Sequence, residues 1–139
     1  MKPGAPRRTL VDTSAWVELL RATGSPADRA LTDALDSSQS LWLTGVVLQE
    51  VLQGARTTAH AGDLRRLLAA CAVVEPVFPE TYEHAASLYR RCRHAGRSVR
   101  GTVDCLVAAV ALEHDLAVLG VDRDLLVLRD VCGLALATP

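Results

Sequence analysis

Lysine is nearly missing from this chain: Lys2 is the only one in 139 residues, and the remaining positive charge is arginine. A phosphoryl-receiving signalling domain and an aspartyl-nucleophile phosphatase each need a lysine beside their acids, so both are excluded. A glycine-rich phosphate loop is also missing, which removes the common nucleotide-binding modules. Aromatic residues make up only 4% of the chain, too few for a base-stacking platform. The four cysteines, Cys71, Cys92, Cys105 and Cys132, show no C-x-x-C spacing. They read as buried free thiols in a reducing compartment, not as a zinc site or a disulfide frame. A formal net charge of −1 argues against a whole-surface grip on nucleic acid and leaves room only for a local arginine patch. The longest apolar stretch, Val103 to Val121, is broken by Asp104, Glu113, His114 and Asp115, which rules out a membrane span. The start of the chain is short, polar and proline-bearing, unlike a signal peptide, so a soluble cytoplasmic protein is expected.

What is present is a globular composition, half of it hydrophobic, at the length of one domain (1–139). Short apolar runs alternate with helical patterns. Strands are expected at Thr9–Val11, Leu41–Leu43, Val73–Val77 and Leu116–Gly120, with a last edge strand at Gly133–Ala137. Helices are expected over Ser14–Ala22, from the Ser25-Pro26-Ala27-Asp28 start onward, and from a Thr44 cap to Gly54. Further helices should run over Asp63–Ala72, from Pro79 to Gly96, and from a Thr102 cap onward, with a short helical turn at Asp122–Arg129. Gly96–Gly101 should form a basic loop with Arg97 and Arg100. This β–α alternation with continuous apolar strands predicts an α/β fold, three-layered, around a central and mainly parallel sheet.

Four acids stand in apolar surroundings: Asp12 after Leu10-Val11, Glu50 before Val51, Asp104 after Val103, and Asp122 after Gly120-Val121. Each has an ordinary reading alone. Asp12 suits a helix cap, Glu50 a wet helix face, Asp104 a first helical turn, and Asp122 a solvent turn. Yet acids are seldom embedded this way unless paired or bound to metal. If the fold gathers them, each pair about 5 Å apart repels by roughly 3 kcal/mol at an effective dielectric near 20. With Lys2 the only lysine, a divalent cation is the economical relief.

Taken in order, these blocks resemble the PIN domain, and most of all the VapC-type toxins of toxin–antitoxin pairs. The resemblance covers about Thr9 to Ala135. It rests on Leu10-Val11-Asp12-Thr13-Ser14-Ala15-Trp16, on Thr44 through Glu50-Val51 to Gly54, and on Arg100-Gly101-Thr102-Val103-Asp104-Cys105. The fourth block is Val118-Leu119-Gly120-Val121-Asp122-Arg123-Asp124. The chain departs from the family where Gly120 and Val121 replace polar residues and Leu125 replaces a phenylalanine. The resemblance implies hydrolysis of RNA, either transfer or ribosomal RNA, with Mg²⁺ or Mn²⁺. It implies Asp12 and Asp104 as direct metal ligands. Glu50 and Asp122 would hold metal-bound waters or a second ion, and Asp124 would share the role of Asp122. Thr13 or Ser14 would bond a metal water or phosphate oxygen, and Arg97 and Arg100 would contact RNA. A cognate VapB-like antitoxin and a homodimer are the partners it implies. The competing expectation is a catalytically silent PIN-like scaffold that binds RNA or protein.

Overall fold

The structure, a computed structural model, describes residues 8–37 and 39–137, so the polar leader lies outside the described residues. The element order is β1 (Thr9–Val11), α1 (Thr13–Leu20), α2 (Pro26–Asp36), β2 (Leu41–Leu43), α3 (Gly45–Gln53) and α4 (Thr58–Leu68). It continues with β3 (Ala72–Val73), α5 (Glu80–His94), α6 (Thr102–Glu113), β4 (Ala117–Leu119) and α7 (Arg123–Cys132). The four strands pair in parallel in the order β3-β2-β1-β4. β1 and β4 are buried along their whole length, as strands covered on both faces must be. Right-handed crossovers account for the layers. The chain steps from β1 to β2 to β3 in one direction, then returns past β1 to β4, which puts the later helices on the opposite face. Within the layers, α1 packs on α2 and α3, and α5 packs on α6 and α7. Leu10, Trp16, Leu31, Val47, Leu88, Val107 and Leu128 form the buried centre.

The reversal of direction falls between β1 and β4. In an open parallel sheet, that crevice beyond the carboxyl ends of the strands is where ligands bind. Asp12 follows β1 and Asp122 stands three residues beyond β4, so the topology alone brings two of the expected acids to one edge.

Several boundaries differ from the sequence expectation, each for a local reason. α1 starts at Thr13 because Asp12 itself caps it, accepting from the Ser14 N–H. α4 starts at Thr58 and not Asp63, because the Thr57 hydroxyl accepts from the His60 N–H and caps it earlier. β3 is only Ala72–Val73; Pro76 and Pro79 deny the following residues their ladder donors. Gly101, not Thr102, is the N-cap of α6. Thr44 stands at the N-cap of α3, but its hydroxyl reaches Glu75 instead of capping. The turn expected at Asp122–Arg129 is a full helix ending at Gly133, which adopts φ 76°, a left-handed cap that suits glycine. The expected edge strand Gly133–Ala137 shrinks to one bridge, Val118 with Leu136.

Candidate metal centre and active site

The site is built from helix starts. Asp12 caps α1: its Oδ2 accepts the Ser14 N–H at 3.1 Å and the Ser14 hydroxyl at 2.6 Å. The same Ser14 oxygen accepts the Val121 N–H at 2.9 Å, tying the turn after β4 to the cap after β1. Gly120 makes that approach possible. A Cβ there would lie 2.5 Å from Leu125 Cδ1 and 3.0 Å from both Asp12 Cβ and Ser14 Oγ. Two of the three departures from the family pattern, Gly120 and Leu125, therefore lie against each other. Asp122 caps α7 by accepting the Asp124 N–H at 2.9 Å. That turn carries Asp124 inward, where it is buried and accepts the Arg100 N–H at 2.9 Å. Asp104 lies buried in the first turn of α6.

Asp104, Asp122 and Asp124 each offer a carboxylate oxygen, and the three oxygens lie within 4.8 Å of one another. Asp12 is the helix cap of its ordinary reading, Asp122 caps a helix where a solvent turn was the ordinary reading, and both acids are at the shared edge as well. Asp12 stands beside the trio, its charge felt by Asp104; the family resemblance implies Asp12 and Asp104 as the direct ligands. Burial pushes the Asp104 carboxyl up to about 8, helped by the charges of Asp12, Asp122 and Asp124 and by a carboxyl–carboxyl hydrogen bond with Asp122. Burial also raises Asp12, against the opposing hydrogen bonds from Ser14, with Asp122 and Glu50 adding to the rise. At such spacing each charged pair repels by about 3 kcal/mol at an effective dielectric near 20. No lysine or arginine pairs with the trio among the described residues. The donor set is all oxygen, hard, and short of positive charge, which fits a hard divalent ion.

Glu50 lies apart from the trio, half-buried on α3, and accepts the Thr13 hydroxyl at 2.7 Å. It lines the acidic cleft of about 450 Å³ together with Asp104, Asp122, Asp124, Arg100 and Arg123. Arg97 does not line that cleft; it donates to Asp130 at 2.8 Å on the far end of α7, so its expected RNA contact is spent on an ion pair. Thr13 and Ser14 are likewise engaged with acids. Arg123 was missed by the sequence reading. Its signal was available, since the residue between two acids at a helix start must point outward while the second acid turns in. A second, more apolar groove of about 640 Å³ adjoins Glu50, floored by Val17, Leu20, Val51 and Leu64 with Arg21 and Arg56 at its rim.

Comparison with known proteins agrees with this geometry. The PIN domain family model matches residues 9–132. The VapC ribonuclease Mb1587 of Mycobacterium bovis is 33% identical over 130 residues, covering 93% of this chain and 97% of that protein. Among solved structures, VapBC2 from Rickettsia felis, bound to a DNA fragment from its promoter, superposes with a TM-score of 0.72 at 13% identity. That match covers 93% of this chain and 96% of the other. VapC20 of Mycobacterium tuberculosis, described as a sarcin–ricin loop cleaving toxin, gives 0.64 at 22% identity, covering 94% of this chain and 99% of the other. The chain belongs to the PIN-domain family and, within it, to the VapC ribonucleases.

Proposed function

We propose that this protein is the toxin of a toxin–antitoxin pair, an endoribonuclease that hydrolyses phosphodiester bonds in RNA with Mg²⁺ or Mn²⁺. The observation that carries the reading is the trio Asp104, Asp122 and Asp124 at the sheet's switch point, with Asp104 held protonated to about pH 8 by burial and its acidic neighbours. Asp104, Asp122 and Asp124 would hold the ion, with the charge of Asp12 beside them. When bound, the ion lowers the pKa of a water and screens the charge that develops on the phosphate. The chain's own residues supply the rest. Ser14 fixes the Asp12 carboxylate by two hydrogen bonds to one oxygen, leaving the other oxygen for the site. Thr13 orients Glu50 on the opposite wall, where a carboxylate is placed to accept a proton from water. Arg100 and Arg123 line the cleft and meet the phosphates flanking the cut.

Transfer RNA and ribosomal RNA are the substrate classes we infer; the similar VapC20 is a sarcin–ricin loop cleaving toxin. The solved relatives include VapBC assemblies with their antitoxins. The apolar groove beside Glu50 suits the corresponding antitoxin: Val17, Leu20, Val51 and Leu64 would seat an apolar segment while Arg21 and Arg56 meet its acidic flank. We assign the protein a homodimeric state on the same family basis.

The test is cleavage of total transfer and ribosomal RNA by the antitoxin-free protein with Mg²⁺ or Mn²⁺, beside EDTA and Asp104→Asn controls. Discrete fragments that vanish in both controls support the reading. Intact RNA from folded, metal-loaded protein overturns it in favour of a silent binding scaffold.

A further inference from the structure

Three of the four cysteines converge where α5, α6 and α7 meet. Cys92 on α5 and Cys105 on α6 are buried, and Cys132, the last residue of α7, is half-buried. The sulfurs of Cys92 and Cys132 are 3.9 Å apart. The chain holds this pair in place from both sides. Arg91 donates to the Val131 carbonyl at 3.2 Å, and Arg97 donates to Asp130 at 2.8 Å. Each clamp joins a residue next to or near Cys92 with one just before Cys132. Burial and the neighbouring Cys132 push the Cys92 thiol up to about 11, while Arg91 and Arg97 pull the other way. Cys105 is also raised, to about 12, chiefly by burial. The buried sulfurs are therefore thiols at neutral pH, and Cys132 is the one that a small reagent reaches. Cys92 and Cys132 are 40 positions apart. The segment between them contains α6, β4 and all three acids of the trio.

We propose that Cys92 and Cys132 form an oxidisable dithiol, which a hydroperoxide converts to an intramolecular disulfide closing the chain around the acidic edge. The Cys132 thiol gives up its proton and its sulfur attacks hydrogen peroxide; the O–O bond breaks, Cys132 becomes a sulfenic acid, and the leaving hydroxide takes up that proton and departs as the first water. Cys92 sulfur then attacks the Cys132 sulfur, the S–O bond breaks, and a second water departs with the Cys92 proton. Two thiols lose two electrons in all, and hydrogen peroxide gains them. The sulfurs must close from 3.9 Å to the disulfide length of roughly 2.05 Å. In a reducing compartment the pair rests as thiols, and a dithiol reductant reverses the change.

The test treats the full-length chain in its native state with hydrogen peroxide, then blocks free thiols with an alkylating reagent under denaturing conditions. Intact mass and peptide mapping read the result, so the outcome does not depend on ribonuclease activity. The expected product has lost two hydrogens and two alkylatable thiols, carries a Cys92–Cys132 link, and reverts with dithiothreitol. Its thermal midpoint rises by roughly 5–10 °C over the reduced chain, as closing a long loop predicts. Cys132→Ser should leave Cys92 and Cys105 fully alkylatable after the same exposure. Because the mapping of the unmutated chain stands alone, a variant that fails to fold does not blunt the test. Overoxidised Cys132 with Cys92 still free, or a link that uses Cys71 or Cys105, overturns the proposal.

Discussion

Helix α6 carries a carboxylate at each end, and the two ends treat it in opposite ways. Asp104, in the first turn, is raised to about 8 by burial and by Asp12, Asp122 and Asp124. Glu113, the last residue, also meets a burial penalty, but its pKa is lowered overall. The Thr81 hydroxyl donates to it at 2.7 Å and the His84 ring stands 2.7 Å away. The helix dipole would order the pair the other way, since it favours an anion at the N-terminus and opposes one at the C-terminus by about 0.3–1 kcal/mol. Immediate neighbours outweigh it: three surrounding carboxylates, at about 3 kcal/mol of repulsion each for an effective dielectric near 20, exceed the dipole. Glu113 is met by donors, whereas Asp104 is met by other carboxylates.

The largest test of that contrast exchanges the charge at each end. Asp104→Asn should lower RNA cleavage by roughly a thousandfold, the scale of several kcal/mol of ion-mediated stabilisation. Glu113→Gln should leave cleavage within about twofold, as befits a substitution away from the chemistry. Initial rates on one RNA substrate decide between them.

Next in size is the response to metal. With Mg²⁺ or Mn²⁺ at about a hundredfold over its dissociation constant, the folded chain should gain roughly 2.7 kcal/mol. Denaturant titration with and without the ion measures it, and the gain should disappear in Asp104→Asn while surviving Glu113→Gln.

Filling the close approach beneath the site should cost somewhat less. Gly120→Ala sets a methyl against Leu125, Asp12 and Ser14, an overpacking worth about 1–3 kcal/mol. Its mark in the same denaturant titration is lost stability together with weakened metal response, because the Ser14 bridge from Asp12 to Val121 is displaced.

Acidity acts with opposite signs at the two ends. Folded Asp104 keeps its proton to about pH 8, whereas its ordinary value is 3.8. Folding therefore takes up a proton across that window, and the stability of the metal-free chain falls as pH rises through it. Asp104→Asn should flatten that decline. Glu113 sits below its ordinary 4.5, so its contribution is present above that value and is lost on acidification. Melting curves from about pH 2 to 9 on the two variants separate the slopes. The smallest effect is the neutral-pH cost of Glu113→Gln. It should be about 1 kcal/mol, one charge-assisted hydrogen bond at a partly exposed position.

Much of the fold was legible because local signals agreed with one another. Ser25, Pro26 and Asp28 mark the start of α2, and the buried runs at β1, β2 and β4 need no partner to be recognised. The C-terminal half of β3 and the expected last strand were not legible. Prolines in the first case, and the length of α7 in the second, decide whether an apolar run finds a ladder. At the site, the order of the acids and a role for Asp124 were readable, but which three carboxylates come closest together was not. Asp124 enters the trio only because Asp122 caps α7 and turns the next acid inward. Arg97 looked like an RNA contact in a basic loop, yet folding brings Asp130 to it from 33 positions away. Such long-range pairing leaves no mark in local sequence.

The central claim is that the acidic edge is a cation site kept partly protonated until the ion arrives. Calorimetric titration of Mn²⁺ into the full chain at pH 7, in two buffers of different ionisation enthalpy, tests it most directly. The account predicts saturable binding accompanied by proton release, with both lost in Asp104→Asn. Binding without proton release, or binding that survives Asp104→Asn unchanged, would contradict it.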